Sequence, residues 1–249
     1  MTIRYFYEAI NEAIFQSMEK DPDIICYGLG VTDPMGVFGT TLNLEKNFGA
    51  NRVFDMPTSE NAMTGVAIGA ALNGIKSIVT HQRLDFFLLA MDQLVNSAAK
   101  YHYMFGGQTP IPITIRLIIG RGWGQGPTHS QNLQTWFAHI PGLKVVCPTN
   151  AKHAKGMLIS AINDPNPVIF LEHRWLHGGK SEVPSKMYET KIGKASIVSK
   201  GSDITIVASS YLVNEALIAK KFLLKQGVNA EIIDLMSYKP IDYKTMIKS

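Results

Sequence analysis

The 249-residue chain has only two cysteines, Cys26 and Cys147, and they lie far apart. That number and spacing exclude a disulfide scaffold and a CxxC zinc or redox motif. No apolar run reaches the roughly 18 residues of a membrane helix, and the charged N-terminal segment lacks the apolar centre of a signal peptide. These absences predict a soluble, cytoplasmic protein without a membrane partner.

An excess of charge of one sign is also missing. The chain has 24 Lys+Arg against 20 Asp+Glu, a net charge of +4, and no basic run interleaved with aromatic residues. Nucleic acid is therefore not expected as a partner. Hydrophobic residues make up 46% of the chain, which is enough to build a packed core rather than a long disordered segment.

Apolar residues alternate along the chain between helical and strand-like spacing. Helical periodicity covers residues 5–19 and 85–100, and a third segment, from Glu60 to Leu72, is rich in Ala and Gly. Short runs of β-forming residues separate these segments. The order β-α-β-α-β predicts an α/β fold with a mostly parallel, doubly wound sheet. The runs read as strands are 24–28, 52–55, 75–80, 112–119, 143–146 and 167–171.

The pattern breaks after residue 172 and resumes near residue 203. We therefore expect a first domain over 1–175, a linker over 176–200 and the start of a smaller α/β domain over 201–249. The last segment is short for an independent domain. We expect either that the chain is truncated or that a partner completes this domain.

Three patterns allow a chemical role beside an ordinary one. The glycine-rich run 120–126 follows a strand but matches no phosphate-binding motif, so its glycines favour close approach of the backbone to a ligand or another subunit. His173 and His177 have metal-ligand spacing, but packing histidines are the better interpretation. Glu60 begins an apolar helix, where a carboxylate either caps the helix or exchanges a proton with a ligand.

Longer segments carry a resemblance to a known family. The stretches FDMPTSENAMTGVAIGAALNGIKSIV, DFFLLAMDQLVNSAAKYHYMFGG, THSQ and PGLKVVCPTNAKHAKGMLISAINDPNPVIFLEH resemble the beta subunit of the thiamine-diphosphate-dependent 2-oxoacid dehydrogenases. More broadly, they resemble the pyrimidine-binding half of the transketolase superfamily. The likeness covers nearly the whole chain and includes the start of that family's C-terminal domain.

The resemblance implies roles for individual residues. Glu60 matches the family's catalytic glutamate, which hydrogen-bonds the cofactor's aminopyrimidine ring and supplies the proton that activates the cofactor. Phe86 matches the aromatic residue that packs on the pyrimidine, and Gln82 and Leu89 are expected to line the cofactor site. His129, in THSQ, matches the active-site histidine that handles protons and contacts the acyl acceptor.

The resemblance also implies a structural potassium site. Its ligands would be the side chains of Asp164 and Asn166 and the backbone carbonyls of Ala161 and Ile162. An ordinary turn explains the sequence Asp-Pro-Asn-Pro at 164–167 equally well.

One family motif is absent. The superfamily binds the diphosphate and Mg²⁺ through a GDG motif followed by Asn, and no GDG occurs in this chain. The resemblance therefore implies that an alpha-type subunit holds most of the thiamine diphosphate and Mg²⁺, with an α2β2 assembly as the expected form.

The chain departs from the family mainly before the cofactor helix. The family usually has an acidic-aromatic stretch where this chain has His81, Gln82 and Arg83, and Trp123 stands in a loop usually built of small residues. We expect His81, Arg83 and Trp123 to face a polar or anionic substrate. Alternatively, Arg83 pairs with Asp85 or with the partner subunit.

These observations leave three functions open. The first is the beta subunit of an enzyme that decarboxylates a 2-oxoacid and transfers the acyl unit to a lipoyl carrier protein. The second is one half of a split transketolase-like enzyme that transfers ketol units between sugars in carbohydrate biosynthesis. The third is a non-catalytic structural subunit, which the presence of both Glu60 and His129 argues against.

Overall fold

The computed structural model describes the whole chain, residues 1–249. The strands are β1 Thr2–Tyr5, β2 Ile24–Gly28, β3 Val53–Asp55, β4 Lys76–His81, β5 Ile113–Ile119, β6 Lys144–Val146, β7 Val168–His173, β8 Lys180–Val183, β9 Ser196–Ser199, β10 Ile204–Ala208, β11 Ala230–Asp234 and β12 Ser237–Lys239. The α-helices are α1 Phe6–Lys20, α2 Leu44–Phe48, α3 Glu60–Leu72, α4 Leu84–Phe87, α5 Ala99–Met104, α6 Gln134–His139, α7 Ala151–Ile162, α8 Tyr211–Lys225 and α9 Tyr243–Lys248.

Seven strands form the main sheet, in the order β12-β6-β7-β5-β4-β2-β3. Every pairing in it is parallel except that of β12 with β6. The predicted α/β fold with a mostly parallel, doubly wound sheet is thereby confirmed. In such sheets the loops that follow the strands gather at one edge, where ligands usually bind.

Two apolar cores cover the two faces of this sheet. On one face α1 packs against α7, and Phe6, Ile10 and Ile14 are wholly buried there, as the spacing of four predicts. On the other face α3 and the helical segment 84–104 pack against the sheet. In each core, the strand side chains that point to that face of the sheet pack against the apolar face of a helix. This packing explains the alternation of β-runs and amphipathic segments in the sequence.

A smaller sheet of three strands, ordered β10-β11-β9, carries α8 near the C-terminus. After β11 the chain returns to the main sheet, because β12 pairs antiparallel with β6 at its edge. The sequence analysis does not detect β12, since three residues of mixed polarity carry no periodic signal. It also misses the antiparallel pair β1–β8, which ties the N-terminus to the segment read as a linker.

The helix predicted over 85–100 is longer and less regular than its sequence pattern suggests. Helical structure runs over 84–104, but it passes through a 3₁₀ turn at Leu88–Ala90 and a π-helical stretch at Gln93–Ala98. Changes of helix type of this kind often accompany functional sites. No helix in the chain has both the length and the apolar character needed to cross a membrane.

Candidate active site

The loops that follow β2, β3 and β4 meet at the carboxyl edge of the main sheet and enclose a pocket of about 310 Å³. This is the position at which parallel α/β sheets bind ligands. The pocket brings together six of the residues that the sequence singled out. Its lining consists of Leu29, Thr58, Glu60, His81, Gln82, Arg83, Phe86 and Leu89.

Glu60 is held in this pocket by the start of α3. Ser59 caps the helix, its hydroxyl accepting a hydrogen bond from the Ala62 amide at 3.4 Å, and Glu60 is the first helical residue. Its side chain is only 4% exposed. A carboxyl group at this position can form a hydrogen bond with a ligand in the pocket.

Two exposed residues of the pocket lining follow β4. Phe86, on α4, is 40% exposed, and Leu89 beside it is 70% exposed. The His129 ring stands edge-on to Phe86, with centroids 5.1 Å apart and planes at 89°. His129 lies at the end of a 3₁₀ turn, Pro127–His129, in the loop after β5. The His129 imidazole therefore contacts Phe86, a ring that lines the same pocket as Glu60.

His81 forms part of the pocket's inner wall. It ends β4 and is 1% exposed, and its ring packs on Phe87 with centroids 4.9 Å apart. Neither ring nitrogen has a hydrogen-bond partner within the chain. Burial lowers the pKa of His81 to about 3, so the imidazole is neutral at pH 7.

Arg83 is held by contacts on several sides. Its guanidinium lies 4.9 Å from the Trp123 ring centroid and 5.4 Å from that of Phe38. Nη1 donates to the Gln82 carbonyl at 2.8 Å, and Nη2 donates to Gln125 Oε1 at 2.9 Å. Burial and the nearby Arg174 guanidinium lower the pKa of Arg83, which still leaves an arginine charged at pH 7.

The alternative pairing of Arg83 with Asp85 is not formed. Asp85 Oδ1 instead accepts a hydrogen bond from the backbone amide of Gln131 at 3.2 Å. This bond ties the start of α4 to the loop that carries His129. Trp123 stabilises the same loop, because its Nε1 donates to the His129 carbonyl at 2.9 Å.

Several residues of the site escaped the sequence analysis. Leu29 and Thr58 follow β2 and β3, so the rule that ligands bind at the carboxyl ends of parallel strands could have indicated them. Phe38 and Gln125 carry no such signal, since both hold Arg83 from loops distant in sequence. Phe38 has a φ of 52°, a backbone conformation unusual for an aromatic residue.

The glycines at 120–126 allow the backbone of this loop to lie close to other side chains of the chain. A Cβ on Gly120 would lie 2.9 Å from His173, and one on Gly122 would lie 2.4 Å from Trp175. Both glycines have positive φ angles, 119° and 90°. The ring of His173 also stacks on Tyr211, with centroids 5.1 Å apart, and so joins the main sheet to α8.

A buried ion pair lies on the neighbouring strands β5 and β7. Arg116 binds Glu172 in a bidentate manner, with Nε–Oε1 at 2.7 Å and Nη2–Oε2 at 3.0 Å, and both side chains are essentially unexposed. His177 Nε2 lies 3.5 Å from Glu172 Oε2, and the His177 ring stacks on Phe6. His177 is thus a packing residue beside a buried ion pair.

The predicted potassium ligands are engaged in other contacts. The Lys144 ammonium forms an ion pair with Asp164, and Asp164 Oδ1 also accepts from the Asn166 amide at 2.9 Å. The Ala161 carbonyl at the end of α7 accepts from the amide of Asp164 at 3.2 Å. The fourth predicted ligand is the carbonyl of Ile162. As arranged, these groups do not fit a metal cation, because the Lys144 ammonium already neutralises the Asp164 carboxylate. The potassium site stays a prediction.

The fold and the pocket define a doubly wound α/β protein with a ligand site at the carboxyl edge of its parallel sheet. Residues 5–178 match the family "Transketolase, pyrimidine binding domain", and residues 193–249 match "Transketolase, C-terminal domain". The chain belongs to the transketolase family, which confirms the resemblance seen in its sequence.

Two curated relatives are similar over nearly the whole chain. The beta subunit of acetoin:2,6-dichlorophenolindophenol oxidoreductase from Cupriavidus necator is 43% identical, covering 97% of this chain and 74% of the relative. The pyruvate dehydrogenase E1 component subunit beta of Acholeplasma laidlawii is 44% identical, covering 100% and 76%.

Among solved structures, a split-gene transketolase described as an inactive beta4 tetramer has a TM-score of 0.80 at 22% identity. The match covers 98% of this chain and 75% of that chain. At this level of identity the likeness concerns the fold alone.

Proposed function

We propose that this chain is the beta, pyrimidine-side subunit of a heteromeric thiamine-diphosphate enzyme that decarboxylates a 2-oxoacid and transfers the acyl unit. Relatives at 43% and 44% identity over nearly its full length are named as the beta subunit of an acetoin:2,6-dichlorophenolindophenol oxidoreductase and the beta subunit of a pyruvate dehydrogenase E1 component. The observation that carries the proposal is that the buried Glu60 carboxyl and the partly exposed ring of Phe86 line one pocket.

The pocket's residues fit the aminopyrimidine half of thiamine diphosphate. Glu60 offers a carboxyl group for a ring nitrogen, and Phe86 offers an aromatic face for stacking. Gln82 and Leu89 line the same space. When bound, this cofactor supplies a nucleophilic carbon that attacks a carbonyl group and accepts the electron pair released on decarboxylation.

Glu60 and His129 would divide the proton transfers between them. Glu60 holds a proton at its carboxyl oxygen and exchanges it with the ring nitrogen of the ligand. His129 lies on the outer side of Phe86, in an accessible loop, where its imidazole can take or give a proton at the reacting oxygen. Positioned groups of this kind typically contribute about 100- to 10,000-fold to a rate.

The proposal includes a partner subunit. The sequence contains no GDG motif, and an alpha-type subunit would supply the groups that hold the diphosphate and Mg²⁺. An α2β2 assembly and transfer of the acyl unit to a lipoyl carrier protein belong to the same proposal, as do the domain bounds 1–175 and 201–249.

Calorimetric titration with thiamine diphosphate and Mg²⁺ tests the proposal. We expect weak or no binding to this chain alone and tight binding to the chain mixed with an alpha-type subunit that carries the GDG motif. In that complex, Glu60→Gln should lower the rate of decarboxylation roughly 100- to 10,000-fold. Glu45→Gln is the matched control, because Glu45 also lies in the first turn of a helix but is exposed. A Glu60→Gln complex with full activity would favour a non-catalytic role.

A further inference from the structure

The inner wall of the pocket contains a buried imidazole that has no partner within the chain. His81 is 1% exposed, and both of its ring nitrogens are buried without a hydrogen bond. A neutral imidazole carries one N–H donor and one acceptor nitrogen. Leaving such groups unpaired is unfavourable, so a hydrogen-bonding partner from outside the chain would stabilise this wall.

A second unpaired donor lies two residues further on. Arg83 Nε is buried and has no partner, whereas its two terminal nitrogens bond the Gln82 carbonyl and the Gln125 side chain. No carboxylate forms an ion pair with this guanidinium: Asp85 bonds the Gln131 amide instead. The rings of Trp123 and Phe38 hold the guanidinium in place, so its positive charge is pre-organised.

A second cation reinforces this charge. The Arg174 guanidinium lies 4.4 Å from the centroid of Phe38, the same ring that contacts Arg83. The wall therefore combines a fixed cation, an unused Nε–H donor and a neutral imidazole with one donor and one acceptor. An unsubstituted aliphatic 2-oxoacid would leave most of these groups without a partner.

The anion that such a wall binds is not the carboxylate lost in the reaction. Decarboxylation is fastest when the charge of the departing carboxylate is not stabilised in the ground state, and a fixed guanidinium would stabilise it. The charge of Arg83 therefore suits a second anionic group, remote from the reacting carbon. The imidazole of His81 suits a hydroxyl group, which can donate to one ring nitrogen or accept from the other.

We propose that His81 and Arg83 select a hydroxylated carbonyl substrate that carries an oxyanion, a phosphate or a carboxylate, away from its reacting carbon. This inference rests on the proposed function and specifies the substrate class of the same pocket. Arg83 recognises the oxyanion and His81 recognises a hydroxyl group. Trp123 and Phe38 act as positioning residues for Arg83.

Four substrates, tested on the complex with the alpha-type subunit, distinguish recognition of a hydroxyl group by His81 from recognition of an oxyanion by Arg83. Pyruvate has neither the hydroxyl nor the second anion, hydroxypyruvate has the hydroxyl, 2-oxoglutarate has a second carboxylate, and 2-oxo-6-phosphogluconate has hydroxyls and a phosphate. We expect kcat/KM to be lowest for pyruvate. The last two substrates show whether the oxyanion is a carboxylate or a phosphate.

Substitutions then assign each element. Arg83→Gln should lower kcat/KM by about 10- to 100-fold for the two substrates with a second anion and leave hydroxypyruvate little changed. His81→Phe should lower it selectively for the hydroxylated substrates. Arg121→Gln is the matched control, since Arg121 is an exposed guanidinium outside this pocket. Calorimetric titration with 2-oxo-6-phosphogluconate and 2-oxoglutarate gives a readout independent of turnover, and Arg83→Gln should weaken that binding.

Two results would overturn the inference. One is equal or better use of pyruvate with no selective effect of either substitution. The other is ligand binding that Arg83→Gln leaves unchanged. Both differ from failure of the proposed function, which would show as absence of thiamine diphosphate binding to the wild-type complex.

Discussion

The imidazole of His129 stands edge-on to the face of Phe86, with ring centroids 5.1 Å apart and planes at 89°. The two residues come from different loops at the carboxyl edge of the sheet. The hydrogen bond from the Gln131 amide to Asp85 ties those loops together. Their contact therefore places a titratable group at the mouth of the pocket that contains Glu60, and it leads to the first prediction.

Replacement of His129 should impair proton transfer but not cofactor binding. We expect His129→Ala to lower kcat by roughly 100- to 10,000-fold while the Kd for thiamine diphosphate in the complex stays within about threefold. His139→Ala, at an exposed position at the end of α6, is the control. A kcat equal to that of the control variant would remove His129 from the chemistry.

Replacement of Phe86 should have the opposite effect. Phe86 is 40% exposed, so Phe86→Ala should change the free energy of unfolding by less than about 1 kcal/mol. Loss of the stacking surface should raise the Kd for thiamine diphosphate roughly tenfold. Thermal unfolding and calorimetry measure the two effects separately. Phe222→Ala, on α8 and 63% exposed, should alter neither, and a Phe86→Ala complex with unchanged Kd would argue against stacking.

The buried His81 should make stability depend on pH. Because its folded pKa of about 3 lies below the ordinary 6.5, the unfolded chain binds the additional proton between these values. The contribution of His81 therefore falls as pH decreases from 6.5 towards 3, by about 1.4 kcal/mol per unit. In His81→Phe the unfolding free energy should depend less steeply on pH between 3 and 6.5. The difference in slope should correspond to one bound proton. Denaturant titrations at several pH values measure that slope, and identical slopes would contradict the prediction.

Loss of the Arg116–Glu172 pair should lower stability at low pH. Burial raises the pKa of Glu172, but Arg116 and His177 outweigh this and the net pKa lies below the usual 4.5. The stabilisation is therefore present above pH 4.5 and is lost as pH falls through the lower, folded value. Glu172→Gln should cost about 3–5 kcal/mol at pH 7, because it leaves a buried guanidinium unpaired. Glu182→Gln, at an exposed position on β8, should cost less than about 0.5 kcal/mol in the same denaturant titration.

The Lys144–Asp164 ion pair predicts the response to potassium. While the ammonium neutralises the carboxylate, the wild-type Tm should be equal in potassium and tetramethylammonium chloride. In Lys144→Gln the Asp164 carboxylate is free for a cation, and potassium should raise the Tm by a few degrees. Lys152→Gln, at an exposed position on α7, is the control. A wild-type Tm that rises specifically with potassium would show that the ion pair opens to admit the ion.

Much of the site was predictable because its signals are local. Ser59 precedes Glu60 as a helix cap, and the strand 76–81 ends directly before Gln82 and Arg83. A capping residue and a buried strand impose their structure on the residues beside them. The order of strands in the main sheet was less accessible, since β12 is three residues long and pairs with β6 from far along the chain.

The amino-acid sequence by itself determined the α/β alternation, the placement of Glu60 at a helix start and the family to which the chain belongs. These depend on periodicity, capping and motifs, which neighbouring residues carry together. Only the tertiary structure decided that Arg83 contacts Trp123 and Phe38 instead of pairing with Asp85, and that His81 is buried without a partner. Only the tertiary structure placed Lys144 on Asp164. These contacts join loops distant in sequence, and the packing of the whole sheet determines which of them form.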